Sequence, residues 1–195
     1  VASCQEPQYI DPTADRQGIT SLTARFTSTS EKYENQVLAK LNVADPEANE
    51  FIIPVPWFYP EESTDPTSIH MTRVRLEAEL APNCRIDPPL AMVDLTEENY
   101  YTFTNAQGES REIMITGKRT KSAKCNLMTF TLTKPYQIEG FIDDDKKEVY
   151  LFTTDDLDGF SGEATVCAHA TLQTDLTVKK NYNNEQEVTV MAQDE

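Results

Sequence analysis

The sequence predicts an all-β chain built from antiparallel β-sandwiches. Two observations carry that prediction. Apolar and polar residues alternate over short runs, the pattern of a strand with one face in a core and one in water. Between those runs stand clusters of turn-forming residues, among them "ADPEANE", "NAQGES", "DDDKKE", "DLDGFSGE" and "NYNNEQ". Many short strands at such spacing point to antiparallel sandwiches.

Taken in order, "EKYENQVLAKLNV" has a helical composition, yet Val37, Ala39, Leu41 and Val43 keep strict period two, so it reads as a strand. In "TRVRLEAEL", Val74, Leu76, Ala78 and Leu80 alternate with Arg73, Arg75, Glu77 and Glu79, a half-buried strand. "REIMITGK" sets Ile113 and Ile115 on one face. "TVCAHATLQTDLTV" sets Val166, Ala168, Ala170 and Leu172 on one parity, and "QEVTVMAQ" does the same with Val188 and Val190.

A weak internal repeat organises these strands. "YTFTNAQGESREIMITGKR" aligns with "LTVKKNYNNEQEVTVMAQD" as strand, polar turn and strand, matching Phe103 to Val178, Ile113 to Val188 and Ile115 to Val190. "ITSLTARFTST" likewise resembles "CNLMTFTLTKP", and "EFIIPVP" resembles "EVYLFTT". The expected division is a flexible tether over 1–17, a sandwich over 18–119 and a second over 123–195, joined by the short basic linker "RTKSAK".

Composition bounds the function. Thirty-three acidic residues against 17 basic ones leave a formal net charge of -16, a field that repels phosphate backbones and so excludes nucleic acid as a partner. A hydrophobic share of 38% is enough for a core, and no apolar run is long enough to span a bilayer as a helix. Cys4, Cys84, Cys125 and Cys167 show no CxxC spacing, and His70 and His169 stand far apart, which argues against a structural zinc site. Cys84, Cys125 and Cys167 read as small buried apolar residues, with a Cys125–Cys167 bridge as the alternative.

The stretch "VASC" at residues 1–4 fits the end of a bacterial lipoprotein signal, with an aliphatic residue, two small ones and then the acylated cysteine. On this reading Cys4 carries a lipid, "QEPQYIDPTADR" is its tether, and the protein is anchored at the outer membrane of the cell envelope, facing the periplasm or the cell exterior. Membrane association then runs through that lipid alone.

The combination of this start with "GITSLTARF", "IPVPW", "LEAELAPNCRIDPP" and "VDLTEENYYTFTNAQGESREIMITG" resembles the immunoglobulin-like domains of unknown function in Bacteroidota surface lipoproteins. The likeness rests on the step from Ala81 to Pro89, the segment from Asp94 to Thr96, the Tyr-rich run from Tyr100 to Thr104 and the turn around Gly108. It covers the first unit well and the second loosely, since the second lacks the Pro-rich step and shifts the acidic entry to Asp175–Thr177. The resemblance implies two tandem immunoglobulin-like antiparallel β-sandwich domains. It also implies association with glycan-uptake loci and a role in capturing glycan or protein ligands at the cell surface.

Catalytic signatures are missing. No G-x-S-x-G, H-E-x-x-H, G-x-G-x-x-G or P-loop sequence occurs, so no enzyme and no cofactor is expected. "DDLDGFSGE" invites a calcium reading, because clustered carboxylates suit Ca²⁺. Against the EF-hand template Thr154 and Thr165 fall where the key carboxylates belong, which leaves a non-EF-hand site of Asp155, Asp156 and Asp158 or else a solvated turn. "PVPWFYPEEST" is the leading binding candidate. Trp57, Phe58 and Tyr59 lie between Pro56 and Pro60, where a strand gives way to a loop, and Glu61 and Glu62 follow as acceptors for sugar hydroxyls. The competing reading has Trp57 plugging the end of the core.

The expected function is a non-catalytic surface lipoprotein, a binding or scaffolding module in glycan capture with a glycan or surface protein as partner. The alternative is a fimbrial-type assembly subunit that pairs through its sheet edges by strand addition.

Overall fold

The computed structural model describes residues 18–194, and Cys4 with the expected tether lies outside the described residues. The chain is all-β, as its alternation predicts, and divides into two units. Residues 18–59 and 65–120 form the first, and residues 60–64 and 121–194 form the second. Unexpectedly, residues 60–64 count with the second unit, where Glu61 accepts hydrogen bonds from the Ser122 hydroxyl at 3.0 Å and the Lys124 ammonium at 2.7 Å.

The first unit contains β1 (Ile19–Phe26), β2 (Val37–Asn42), β3 (Glu50–Pro56), β4 (Val74–Leu80), β5 (Arg85–Asp87), β6 (Met92–Val93), β7 (Asn99–Thr104) and β8 (Ser110–Thr120). One sheet runs in the order β2-β1-β4-β6 and the other β3-β8-β7-β5. All pairings are antiparallel except β3 with β8, which is parallel. Both sheets turn one parity inward. Leu22, Ala24, Phe26, Val74 and Leu76 from the first sheet meet Phe51, Ile53, Val55, Phe103, Ile113 and Ile115 from the second in a single apolar core. That shared core makes the unit a sandwich. Pro54 and Pro56 are tolerated because β3 is an edge strand, where a missing N–H breaks no ladder bond on the open side.

The polar parity of β1 and β4 points outward and is tied by charge. Arg25 pairs with Glu77 at 2.9 Å, and Arg75 reaches the same carboxylate at 3.1 Å. In the β7–β8 turn the Asn105 side chain accepts from the backbone N–H groups of Gln107 and Glu109, and Gly108 takes the left-handed conformation the turn requires (φ +87°).

The expected parity of β2 holds at Ala39, Leu41 and Val43, which pack on the core, and fails at Val37. Ala24 faces Ala39 but Arg25 faces Val37, so a bulge at that point inserts Leu38 into the core and leaves Val37 39% exposed. A bulge adds one residue and reverses the parity of everything beyond it. The residues before β2 form a 3-10 turn at Glu31–Tyr33, so neither helix nor strand covers the whole of "EKYENQVLAKLNV".

The second unit contains β9 (Leu127–Lys134), β10 (Ile138–Asp143), β11 (Glu148–Leu151), β12 (Ser161–Val166), β13 (Thr171–Leu172) and β14 (Val190–Met191). Four of them form an antiparallel sheet in the order β11-β10-β9-β12, and β13 pairs with β14 alone. Phe130, Leu132, Leu157, Phe160 and Leu176 make its core, with Ile138, Ile142, Val149 and Leu151 packed against it. This core is much smaller than that of the first unit.

Two expectations fail in this unit. The run from Val166 to Leu172 is not one strand, because a turn closed by Ala170 N–H on the Cys167 carbonyl (3.2 Å) and a left-handed His169 (φ +66°) interrupt it. The repeat fails as well. Residues 176–194 do not form the hairpin that 101–119 form; Val178 is 54% exposed where Phe103 is buried. Before β14 the segment runs as irregular chain along the core, tied at Gly162 N–H to the Leu176 carbonyl and at Tyr182 N–H to the Leu157 carbonyl. Only two residues of it, Val190 and Met191, are strand. Among the described residues no disulfide joins Cys84, Cys125 and Cys167 to one another, and none of the three is fully buried as expected: Cys125 is exposed and Cys84 and Cys167 are half-buried.

Candidate functional site

The aromatic run after β3 does not make one surface. Trp57 is half-buried, and the Arg119 guanidinium lies over its ring at 3.9 Å. Arg119 is held there by donating from Nη2 to the Trp57 carbonyl (2.7 Å) and from Nε to the hydroxyl of Thr67 (3.2 Å), which is fully buried. Phe58 forms an isolated bridge with Pro66. Tyr59 turns toward the core, its ring 4.6 Å from Phe26 and 5.1 Å from Tyr33, with its hydroxyl donating to Gln36. Glu61 is held below its ordinary value chiefly by the hydrogen bond from Lys124, then by that from Ser122. Glu62 is exposed. Of the five, Trp57 thus has one face occupied, Tyr59 is committed to packing, and Glu61 is committed to an ion pair.

The cluster around Tyr59 is a packing centre. Phe26, Tyr33, Tyr59 and His70 meet edge-to-face or tilted at 4.6–6.0 Å. The Tyr33 hydroxyl donates to Asp65 at 2.6 Å, and that bond, with the Lys32 ammonium at 2.9 Å, holds the Asp65 carboxyl below its usual range. His70 shares a hydrogen bond with Ser30 Oγ at 2.7 Å, and burial depresses its imidazole.

The acidic turn at residues 155–158 is internally satisfied. Asp155 is hydrogen-bonded by the Tyr136 hydroxyl. Asp156 accepts from the Asn183 amide at 2.6 Å and from Asp158 N–H at 3.1 Å, and the first of these keeps its carboxyl acidic. Asp158 is exposed. Among the described residues no group of three or more His, Cys, Asp or Glu side chains is placed to hold a metal ion. Of the three carboxylates, Asp156 pins the turn to Asn183.

A different surface collects the accessible aromatic rings. In the β10–β11 hairpin, Ile138, Ile142, Val149 and Leu151 point into the core, so the opposite parity faces water. Phe141 and Tyr150 are cross-strand partners on that outer face. Phe152 follows two residues after Tyr150, its ring 6.2 Å away and only 24° from parallel. Phe141 is 60% exposed and Phe152 76%. Charged groups flank the stripe. The Tyr150 hydroxyl donates to the Glu148 carboxylate, and Lys146, paired with Asp143 at 3.5 Å, comes within 5.7 Å of the Tyr150 ring centre. Sequence reasoning passed over this stripe. Its signal was present in "FIDDDKKEVYLF", where every aromatic falls on one parity across the turn and every aliphatic on the other.

Among curated proteins nothing matches the chain. A solved structure from Bacteroides thetaiotaomicron, named a "putative glycoside hydrolase", is 24% identical over 52% of this chain, with a TM-score of 0.29. The chain spans 27% of that protein's length, and a likeness of that degree bears on neither fold nor activity. Residues 127–195 match a family described as "Domain of unknown function (DUF8499)". Residues 1–117 match a different family, so the two units are not copies of one another at the level of family. That match takes in more than half of the 195 residues: the chain belongs to the family described as "Domain of unknown function (DUF5018)".

Proposed function

We propose that this chain is a non-catalytic glycan-binding module, displayed at a bacterial cell surface by a lipid on Cys4. One observation carries the glycan reading: the outer face of the β10–β11 hairpin carries exposed Phe141 and Phe152 on either side of a half-buried Tyr150. An exposed aromatic cluster of this kind is a recognition surface more often than an accident of folding. Sugar rings carry apolar C–H faces that stack on aromatic faces, and their hydroxyls need polar partners beside the stack. Glu148 and Lys146 supply an acceptor and a donor in that position. The acidic surface favours neutral polysaccharide over anionic polymers.

Affinity electrophoresis of the 195-residue chain in gels cast with neutral plant and microbial polysaccharides tests the reading. At least one polysaccharide should retard the protein, and Phe152→Ala and Phe141→Ala should each restore most of the free mobility. Trp57→Ala should leave the retardation in place. Retardation that survives both hairpin substitutions would remove the stripe from the site, and no retardation by any neutral glycan would overturn the proposal.

A further inference from the structure

Beneath the same hairpin, on its inner side, the second unit encloses a cavity of about 700 Å³ between β10–β11 and the ladder-free segment that carries Tyr182 and Val188. The volume is that of a small-molecule site, which is commonly some hundreds of Å³. Its apolar lining includes Phe130, Ile142, Val149, Leu151, Leu157 and Val188. Tyr182 also lines it. The Tyr182 hydroxyl is buried with no hydrogen-bond partner among the described residues, and burial raises its pKa.

The charges around the cavity have one dominant sign. Asp143, Asp144, Glu148 and Glu185 line it against a single Lys147. Asp144, Lys147, Glu148 and Glu185 are exposed, so they stand on its solvent side, while the aliphatic and aromatic groups form its interior. A carboxylate or phosphate entering there meets like charge, and an ammonium meets opposite charge at low salt screening.

We propose that this cavity binds a small amphipathic amine: an apolar body seated against Phe130, Ile142 and Val149, and a cationic head toward Asp144 and Glu185. The site does not depend on the glycan reading: its interior lies against the inward-facing residues of the hairpin, and only Glu148 and Tyr150 border both it and the aromatic stripe.

Three probes with one body and different heads test it: 2-phenylethylamine, 2-phenylethanol and phenylacetate, titrated into the full chain by NMR chemical-shift mapping. The amine should bind tightest, by about tenfold over the carboxylate, or about 1.4 kcal/mol. Shifts should fall on Ile142, Val149, Tyr182 and Val188. Added salt should narrow the difference, and Glu185→Gln should narrow it without affecting folding. Tyr182→Phe should keep the order of the three probes while raising the thermal midpoint of the unliganded protein, because it deletes an unmatched buried hydroxyl. Equal or tighter binding of phenylacetate would overturn the charge argument. Absence of binding by all three probes, or shifts confined to the outer stripe, would overturn the site.

Discussion

Arg119 lies with its guanidinium carbon 3.9 Å from the centre of the Trp57 ring and donates from Nη2 to the carbonyl of the same residue at 2.7 Å. One side chain therefore fixes both the ring and the backbone where β3 ends. A planar fork can stack and donate together, whereas an ammonium cannot. Arg119→Ala should destabilise the first unit by about 2 kcal/mol, from the lost stack and the charge-assisted bonds, and Arg119→Lys should recover only a minor part. Trp57 is the single tryptophan, so its emission should shift to longer wavelength in Arg119→Ala at neutral pH in the folded protein. An unchanged emission maximum would show that the stack does not shield the ring.

His70 should give stability an acid limb above the range of the carboxylates. Burial lowers its folded pKa below the ordinary 6.5, only partly opposed by Asp65, so the unfolded chain takes up the proton first. Its contribution is complete above the unfolded value and is lost as pH falls through the folded one. Glu61, Asp65, Glu77 and Asp156, all depressed from ordinary values of 4.5 or 3.8, lose theirs only at lower pH. Urea midpoints should therefore begin to fall between about pH 6.5 and pH 5. His70→Gln should flatten that segment and leave the steeper fall below it. A wild-type profile level down to pH 5 would contradict the depressed imidazole.

The parts of the fold that sequence made legible are those where local pattern and tertiary demand agree. The alternation of β4 and the Asn105–Gly108 turn are each encoded within one strand or one turn, and both appear as read. The bulge at Ala24–Arg25 is not local: it depends on how β2 meets β1, and it alone decides that Leu38 rather than Val37 is buried. The segment 176–194 has strand-like alternation, but with only β13 available as a ladder partner it packs as irregular chain. The candidate surfaces divided the same way. Trp57 and its neighbours were conspicuous because they are contiguous, whereas Phe141, Tyr150 and Phe152 come together only through the register of a hairpin.

Calcium should have no effect on the second unit. Asp156 already bonds Asn183, and no described group of three acidic or sulfur ligands converges nearby. Millimolar Ca²⁺ or EDTA should leave the thermal midpoint unchanged, while Asn183→Ala should lower stability by about 1–2 kcal/mol through the stranded carboxylate and loosened turn. A midpoint that rises with Ca²⁺ and saturates would restore the metal reading of Asp155, Asp156 and Asp158.

Gly140 sits in β10 where the hairpin presses against the core. A Cβ at this position would lie 2.7 Å from Val149 Cγ1 and 3.0 Å from Phe130 Cδ1, and the Phe130 backbone carbonyl is 3.2 Å away. Both side chains are core-facing, so neither can retreat into solvent. Gly140→Ala should push Phe130 and Val149 apart and cost about 1–3 kcal/mol of stability. Because both residues also line the inner cavity, the same change should disturb phenylethylamine binding. Phe141 lies next in the strand but points the other way, so polysaccharide retardation should persist wherever the variant remains folded. Loss of both activities in a folded Gly140→Ala protein would mean that the two faces of the hairpin do not act separately.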